Sequence, residues 1–261
     1  MHTVPPAENR RTRRRAPRRR RVSVIGVFGE LLMTAGVLVF LFVAWQLWIG
    51  DEIYSAQRTA EAAEQSEEWQ AEFEASQPSL PAAEPTPDAP QEIEPPDMPK
   101  PADAEVFANM HIPRFGVDYV YKIAGGVTRA NTLDPIGIGH YNDTVMPGQV
   151  GNFALAAHRT TYGKPFNRIA DLHVNDAIVV ETPAGWYTYR FRTLEYVTPD
   201  EVDVLRDVPQ HPDLPADGRY ITMTSCSPMF SLAERIVAYG VFESYTPREA
   251  GPPAALTEGV A

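Results

Sequence analysis

Cysteine is almost absent: Cys226 is the only one among 261 residues. A single thiol excludes an intramolecular disulfide framework and a thiolate-built metal cage. If the chain is exported, an unpaired cysteine is instead suspect as a reactive thiol. Basic residues are scarce between 51 and 105, where fifteen acids face only Arg58 and Lys100. Helical signals are weak from 105 to 246, which disfavours a parallel α/β sheet. No good cleavage signal follows Gly50, which argues against a removed leader peptide. The net charge of −11 describes no single region, because nine arginines crowd residues 1–21 and seventeen acids face twelve bases in residues 106–261.

Arginine is concentrated at the N-terminus, where Arg18-Arg19-Arg20-Arg21 stops at Val22. From Leu31 to Ile49 only Thr34 and Gln46 interrupt the apolar run as ordinary polar residues. Nineteen helical residues at 1.5 Å each span about 28 Å, enough to cross a hydrocarbon core. Residues 22–49 are therefore read as a membrane anchor, with Glu30 near the cytoplasmic boundary and Trp45 and Trp48 near the opposite interface. The positive-inside rule makes 1–21 a cytoplasmic tail and puts everything after Gly50 outside. An arginine-rich arm for nucleic acid is the rival reading, and the adjacent spanning segment explains the arginines better.

Residues 50–103 read as an acidic linker in two parts. Asp51 to about Ala75 is rich in Ala, Glu and Gln and favours a solvated helix, with Trp69 and Phe73 a weak apolar pair at i, i+4. Nine prolines then fall among residues 78–101, a composition that tends to the extended polyproline form and spans up to about 75 Å. Residues 247–261 lack a periodic apolar pattern and read as a flexible tail. One folded domain remains, residues 104–246.

Seven runs in that domain are rich in Val, Ile, Thr, Tyr and Phe: Val106–Ile112, Tyr119–Ile123, Asn152–His158, Ala177–Thr182, Trp186–Tyr196, Tyr220–Cys226 and Arg235–Glu243. They predict strands. Thr182-Pro183-Ala184-Gly185 predicts a hairpin turn. Helical turns are predicted around Asn131–Asp134, Pro165–Ala170 and Pro199–Val202. The fold class is all-β, a closed barrel or a sandwich.

Cys226 ends a strand in which Tyr220, Thr222, Thr224 and Cys226 share one face. Ser227-Pro228 stops that strand and leaves the thiol at a rim. A buried cysteine is often only a small hydrophobe. A nucleophilic one needs a base and a positive group that stabilises thiolate and oxyanion. Of six histidines, His2 lies on the cytoplasmic side, and His111, His173 and His211 sit at loops or strand edges without a constellation. His140 lies in the turn-rich Gly137-Ile-Gly-His-Tyr, and His158 ends an apolar run. Position alone favours His158 and leaves His140 open. Arg235, aligned with Val237, Tyr239 and Val241, is costly on a barrel strand unless paired or functional. Arg159 is its rival, but as the direct neighbour of His158 it is expected to point away.

The order His, Cys, Arg, with the cysteine ending a Thr-Leu-x-Thr-Cys-like strand, here Thr222-Met-Thr-Ser-Cys, resembles the sortases, cell-wall transpeptidases of Gram-positive bacteria. The similarity covers most of 105–245. It is closest to the class E group of high-GC species through Ile112-Pro-Arg-Phe-Gly, Gly139-His-Tyr, Pro147-Gly-Gln-Val-Gly-Asn-Phe-Ala, Ala157-His-Arg-Thr-Thr-Tyr-Gly-Lys-Pro-Phe, Gly185-Trp-Tyr-Thr-Tyr-Arg and Cys226-Ser-Pro. The resemblance implies an eight-stranded barrel, an N-terminal anchor and no cofactor. It implies Cys226 as nucleophile, His158 as general acid and base, and Arg235 as the oxyanion or substrate-positioning group.

Two positions depart from the family pattern: Met223 stands for leucine, and Ser225 for the threonine before the cysteine. The first nearly conserves volume, and the second keeps the hydroxyl and loses a methyl. Neither removes a catalytic group. The implied substrate is a secreted protein with a C-terminal sorting signal, Leu-Ala-x-Thr-Gly-like or Leu-Pro-x-Thr-Gly-like. The protein would be transferred to a peptidoglycan-precursor amine, or to a pilin lysine in a polymerising variant. Tyr141 resembles the tyrosine associated with the Leu-Ala preference, and Thr222, Thr224 and Ser225 are further candidates to touch substrate. Asp200, Glu201 and Asp203 suggest a calcium loop, but such acids are usually solvated and no metal is expected. The rival functions are a cysteine peptidase that only hydrolyses and a non-catalytic wall-binding module.

Overall fold

The computed structural model describes residues 23–45, 50–77 and 93–259. The basic tail, Trp48 and the proline-rich positions 78–92 lie outside the described residues.

Helix α1 (Val24–Ala44) is apolar along its whole length, apart from Glu30 and Thr34, and buries no residue. It is the one helix among the described residues long and apolar enough to cross a membrane. Its 21 residues reach about 32 Å at 1.5 Å per residue. Among the described residues, α1 belongs to one unit and residues 50–77 and 93–259 to a second.

In the second unit the β-branched and aromatic runs form eight strands: β1 (Val106–His111), β2 (Val120–Gly125), β3 (Ile138–His140), β4 (Gly151–Ala157), β5 (Ala177–Thr182), β6 (Gly185–Val197), β7 (Arg219–Ser227) and β8 (Glu234–Pro247). They close in the order β1-β2-β3-β4-β7-β8-β6-β5, as expected of an all-β barrel. The pairs β2–β3 and β4–β7 are parallel, and the other pairs are antiparallel. Alternate residues fill the interior: Phe153, Leu155 and Ala157 from β4, Ile221 and Met223 from β7, and Ile236 and Ala238 from β8 all belong to the main core. The two-residue period then assigns Ala156, Thr224, Cys226 and Arg235 to the outer face. The predicted hairpin turn joins β5 to β6, with Thr182 opposite Gly185.

β3 was not among the predicted strands. Its three residues are too short for an alternating pattern, and glycines flank Ile138. Pairing makes it a strand, because Ile138 is fully buried between Ile123 and Ala157.

Two expectations about the flanking segments are corrected. Helix α2 (Asp51–Ser76) is docked on the barrel rather than solvated, with Ala62 and Trp69 buried. Ser55 and the Tyr121 hydroxyl share a hydrogen bond of 2.6 Å, and Asn109 Nδ2 donates to the Ala62 carbonyl at 2.9 Å. Past the proline-rich positions the chain is again held, by Arg219 on Glu94 and by Lys100 Nζ donating to the Asn142 carbonyl. The described residues on both sides of 78–92 thus lie on the barrel's own unit. The second correction concerns the tail. Residues 248–257 form two short 3-10 turns, and Arg248 is buried. Its Nη2 donates to Glu181 Oε1 at 3.0 Å and to the Thr182 carbonyl at 2.6 Å. The guanidinium covers the Trp186 ring at 4.6 Å. These anchors come from partners far apart in sequence, so no local apolar period announces them.

Candidate active site

The strand ends bring three of the predicted residues together. β4 and β7 run parallel with Ala156 opposite Thr224, so their next outward residues are His158 and Cys226. β7 and β8 run antiparallel with Cys226 directly opposite Arg235. His158, Cys226 and Arg235 line one open cavity of about 540 Å³. Ser225 fastens this corner, since its hydroxyl donates to the Ala157 carbonyl at 2.8 Å. This serine, one of the two departures from the family pattern, thus ties the strand of Cys226 to the strand that leads into His158.

His140 is a structural residue. It is fully buried, burial drives its pKa down to about 4 against the opposing bond to the Val145 carbonyl, and its Nε2 lies 3.1 Å from that carbonyl and 3.0 Å from Thr144 Oγ1. His158 is only half-buried and opens to the cavity. Its ring stacks on Tyr162, with centroids 5.2 Å apart and planes 29° apart. Tyr162 itself has φ 55° and Lys164 φ 44°, left-handed conformations that side-chain-bearing residues rarely adopt.

The loop bearing these residues is braced by α2. Lys164 Nζ lies 3.6 Å from Glu52 Oε2, and burial raises the Asp51 carboxyl above its ordinary range despite the nearby Lys164 charge.

Cys226 is a free, half-buried thiol. Arg235 has no carboxylate partner among the described residues; its Nη1 donates to the carbonyls of Leu232 and Glu234 at 3.2 and 2.9 Å. Arg159 departs from the expectation that it points away. It is 9% exposed, lines the cavity, and donates from Nη1 to the Cys226 carbonyl at 3.3 Å. Its Nε is buried with no partner among the described residues. Two guanidinium groups therefore attend Cys226, one on each neighbouring strand end.

Among the other candidates, Tyr141, Thr224 and Ser225 line the cavity, and the Tyr141 hydroxyl lies 3.1 Å from Thr224 Oγ1. Thr222 does not reach it: fully buried, it donates to Asn152 Oδ1 at 2.8 Å. Asp200, Glu201 and Asp203 are engaged separately, Glu201 with Thr198 and Asp203 with Arg206. No group of three metal-ligating side chains occurs among the described residues.

Sequence reasoning passed over Asp134, whose Oδ1 lies 2.6 Å from His158 Nε2. An aspartate before proline carries only a turn signal. The cavity offers a thiol, an imidazole with a carboxylate behind it, and two cations, the set that thiol acyl transfer requires.

Comparison with known proteins agrees with this geometry. Residues 110–243 match the Sortase domain family. The chain is 36% identical to sortase SrtE1 of Streptomyces coelicolor over 234 residues, 87% of this chain and 60% of that protein. It therefore spans less than two thirds of that relative. Sortase SrtE2 of the same organism is 29% identical over 234 residues, 87% of this chain and 85% of that protein. Among solved structures, the SrtF sortase of Corynebacterium diphtheriae aligns with TM-score 0.59 and 34% identity, covering 65% of this chain and all of that one. Sortase E1 of Streptomyces coelicolor, solved with a tripeptide in the active site, aligns with TM-score 0.55 and 38% identity, covering 60% of this chain and 99% of that one. The chain belongs to the sortase family.

Proposed function

We propose that this sortase is a membrane-anchored cysteine transpeptidase acting on C-terminal sorting signals of the Leu-Ala-x-Thr-Gly or Leu-Pro-x-Thr-Gly type. The observation that carries the reading is the convergence of His158, Cys226 and Arg235 on one cavity. In this scheme the Cys226 thiolate adds to the threonine carbonyl, and Arg235, with Arg159 close by, holds the negative oxygen. The Thr–Gly C–N bond breaks as the His158 imidazolium gives its proton to the departing glycine amine, leaving a thioester. An incoming amine then gives a proton to His158, attacks the thioester and releases the thiolate. The acceptor is a cell-wall precursor amine. No cofactor takes part.

Helix α1 serves as the anchor, oriented by the arginines before it with the N-terminus cytoplasmic and the barrel outside. Membrane-held substrates and enzyme then meet in two dimensions. The similarity to sortase E1, solved with a tripeptide in its active site, supports a peptide substrate for this cavity.

The test incubates the full chain, in detergent, with both peptide types and an excess of a glycine-based amine, read by mass spectrometry. Cleavage between Thr and Gly with an amide adduct is the expected result. Cleavage without adduct would reassign the protein as a cysteine peptidase. No thioester and no product from any sorting peptide would leave a non-catalytic wall-binding module.

A further inference from the structure

His158 has two ring nitrogens, and only one can serve the cysteine. Nε2 is occupied: it lies 2.6 Å from Asp134 Oδ1, with the two side chains 12% and 23% exposed. A carboxylate only accepts hydrogen bonds when ionised, so the proton between them belongs to Nε2. Nδ1 is thereby left as the nitrogen free to exchange protons.

The carboxylate is held on a stiff support. Residues Arg129–Leu133 form one π-helical turn, and the Asp134 N–H closes it on the Arg129 carbonyl. The N–H groups of Ile136 and Gly137 both reach the Thr132 carbonyl. Thr132 is fully buried and donates to the Gly125 carbonyl at 3.1 Å. Such turns are rare and concentrate at functional sites. Among the described residues Asp134 has one other ion-pair partner, Arg129 at 3.4 Å, but that side chain is 67% exposed and an exposed pair contributes little. With Tyr162 stacked on its face, the imidazole is fixed in its plane by Asp134 and across its plane by Tyr162.

We propose that Asp134 is the positioning residue of His158: by accepting Nε2–H it sets the tautomer and orientation that present Nδ1 to Cys226 and to the departing and arriving amines. This rests on the transpeptidase reading for its catalytic consequence. The hydrogen bond itself can be read without substrate. A carboxylate behind a histidine acts in this way in metal and acyl-transfer sites, where its loss costs one to several orders of magnitude.

The experiment compares wild type, Asp134→Ala and Asp134→Glu as full chains in detergent. For Asp134→Ala, kcat for a sorting peptide is expected to fall about 10²-fold with KM within twofold and the melting temperature unchanged. Asp134→Glu, whose carboxylate still only accepts and can take Nε2–H, is expected to recover about tenfold of that loss. Long-range 15N–1H spectra of histidine-labelled protein give the independent readout. Neutral His158 should carry its proton on Nε2 in wild type and in Asp134→Glu, and should mix tautomers in Asp134→Ala. Unchanged kcat, or an unchanged tautomer in Asp134→Ala, overturns the proposal. A loss accompanied by a matching rise in KM or a collapsed melting temperature, with no rescue by glutamate, also overturns it. If wild type cleaves no sorting peptide the transpeptidase reading fails, and the tautomer measurement alone then decides the role of Asp134.

Discussion

Two clusters of charged side chains on the barrel, one around Glu181 and one around Cys226, differ in what is left unbonded. Around Glu181 both carboxylate oxygens are occupied, by Ser66 and His111 on one side and Arg248 on the other. Arg248 in turn spends its remaining donors on Pro183, Thr182 and Gln70. Around Cys226 the thiol is free, and among the described residues Arg235 bonds only to backbone carbonyls and Arg159 keeps a buried Nε without a partner. A satisfied network in a dry wall fixes structure, whereas donors left open toward a cavity can be completed by a substrate. The first cluster joins α2, β1, β5 and the C-terminal segment. The second sits where three strand ends meet.

The sharpest way to break this contrast is to mutate one side of each. Cys226→Ala should remove turnover by about 10⁴-fold or more while leaving the urea midpoint unchanged, as read by peptide cleavage and denaturation on the same preparation. A large loss of stability in that variant would make the Cys226 corner a structural cluster like the other. Arg248→Met is the converse. It leaves a Glu181 oxygen buried and unpaired, which should cost about 3–5 kcal/mol of stability. The kcat of the protein that stays folded should not change. A variant of wild-type stability would show the Glu181 cluster to be dispensable.

The two clusters also differ in how far sequence reveals them. Cys226, His158 and Arg235 were legible because each ends or begins an apolar run, and motif resemblance then separated His158 from His140. Adjacent strands made the convergence nearly automatic. Asp134 was not legible: it stands 24 residues from His158 and looks like any aspartate before a proline. Arg159 was misjudged because alternation along β4 fails once the strand ends at Ala157. The Glu181 cluster was invisible for a different reason. Glu181 interrupts an otherwise β-like run, Arg248 sits in a segment without periodicity, and only the closing of β5 on β1 and the docking of α2 unite them. Local patterns report strands and their ends; polar pairings between distant segments have no local period.

Acid titration separates the Glu181 cluster from the buried His140, which belongs to neither cluster. His140 has a folded-state pKa of about 4 against an ordinary 6.5. As pH falls below 6.5 the unfolded chain therefore binds a proton that the folded one refuses, and stability drops by up to about 3 kcal/mol by pH 4. Burial alone would raise the Glu181 carboxyl, but the bonds from His111, Ser66 and Arg248 outweigh it and hold it below 4.5. Its stabilising contribution is complete above 4.5 and is lost as pH falls through that lowered value. Urea denaturation between pH 7 and pH 3 should thus show two acid limbs. His140→Gln should flatten the first and leave the second, and persistence of the first limb in that variant would remove His140 as its cause.

The smallest effect tests the edge of the catalytic cluster. The Tyr141 hydroxyl lies 3.1 Å from Thr224 Oγ1, two residues before Cys226 on the same face, and the ring lines the cavity mouth. Thr224 also donates to the Leu155 carbonyl at 3.2 Å, so Tyr141→Phe strands no buried group. Loss of one such hydrogen bond is worth at most about 1.5 kcal/mol, close to tenfold in rate. The informative quantity is a ratio. The kcat/KM for a Leu-Ala-x-Thr-Gly peptide divided by that for a Leu-Pro-x-Thr-Gly peptide cancels any difference in folded fraction. It should fall about three- to tenfold in Tyr141→Phe if the hydroxyl helps select the second residue of the signal. An unchanged ratio, with both values reduced together, would place Tyr141 among the residues that merely brace the strand of Cys226. Any discrimination between alanine and proline at that residue would then have to arise elsewhere along the cavity wall.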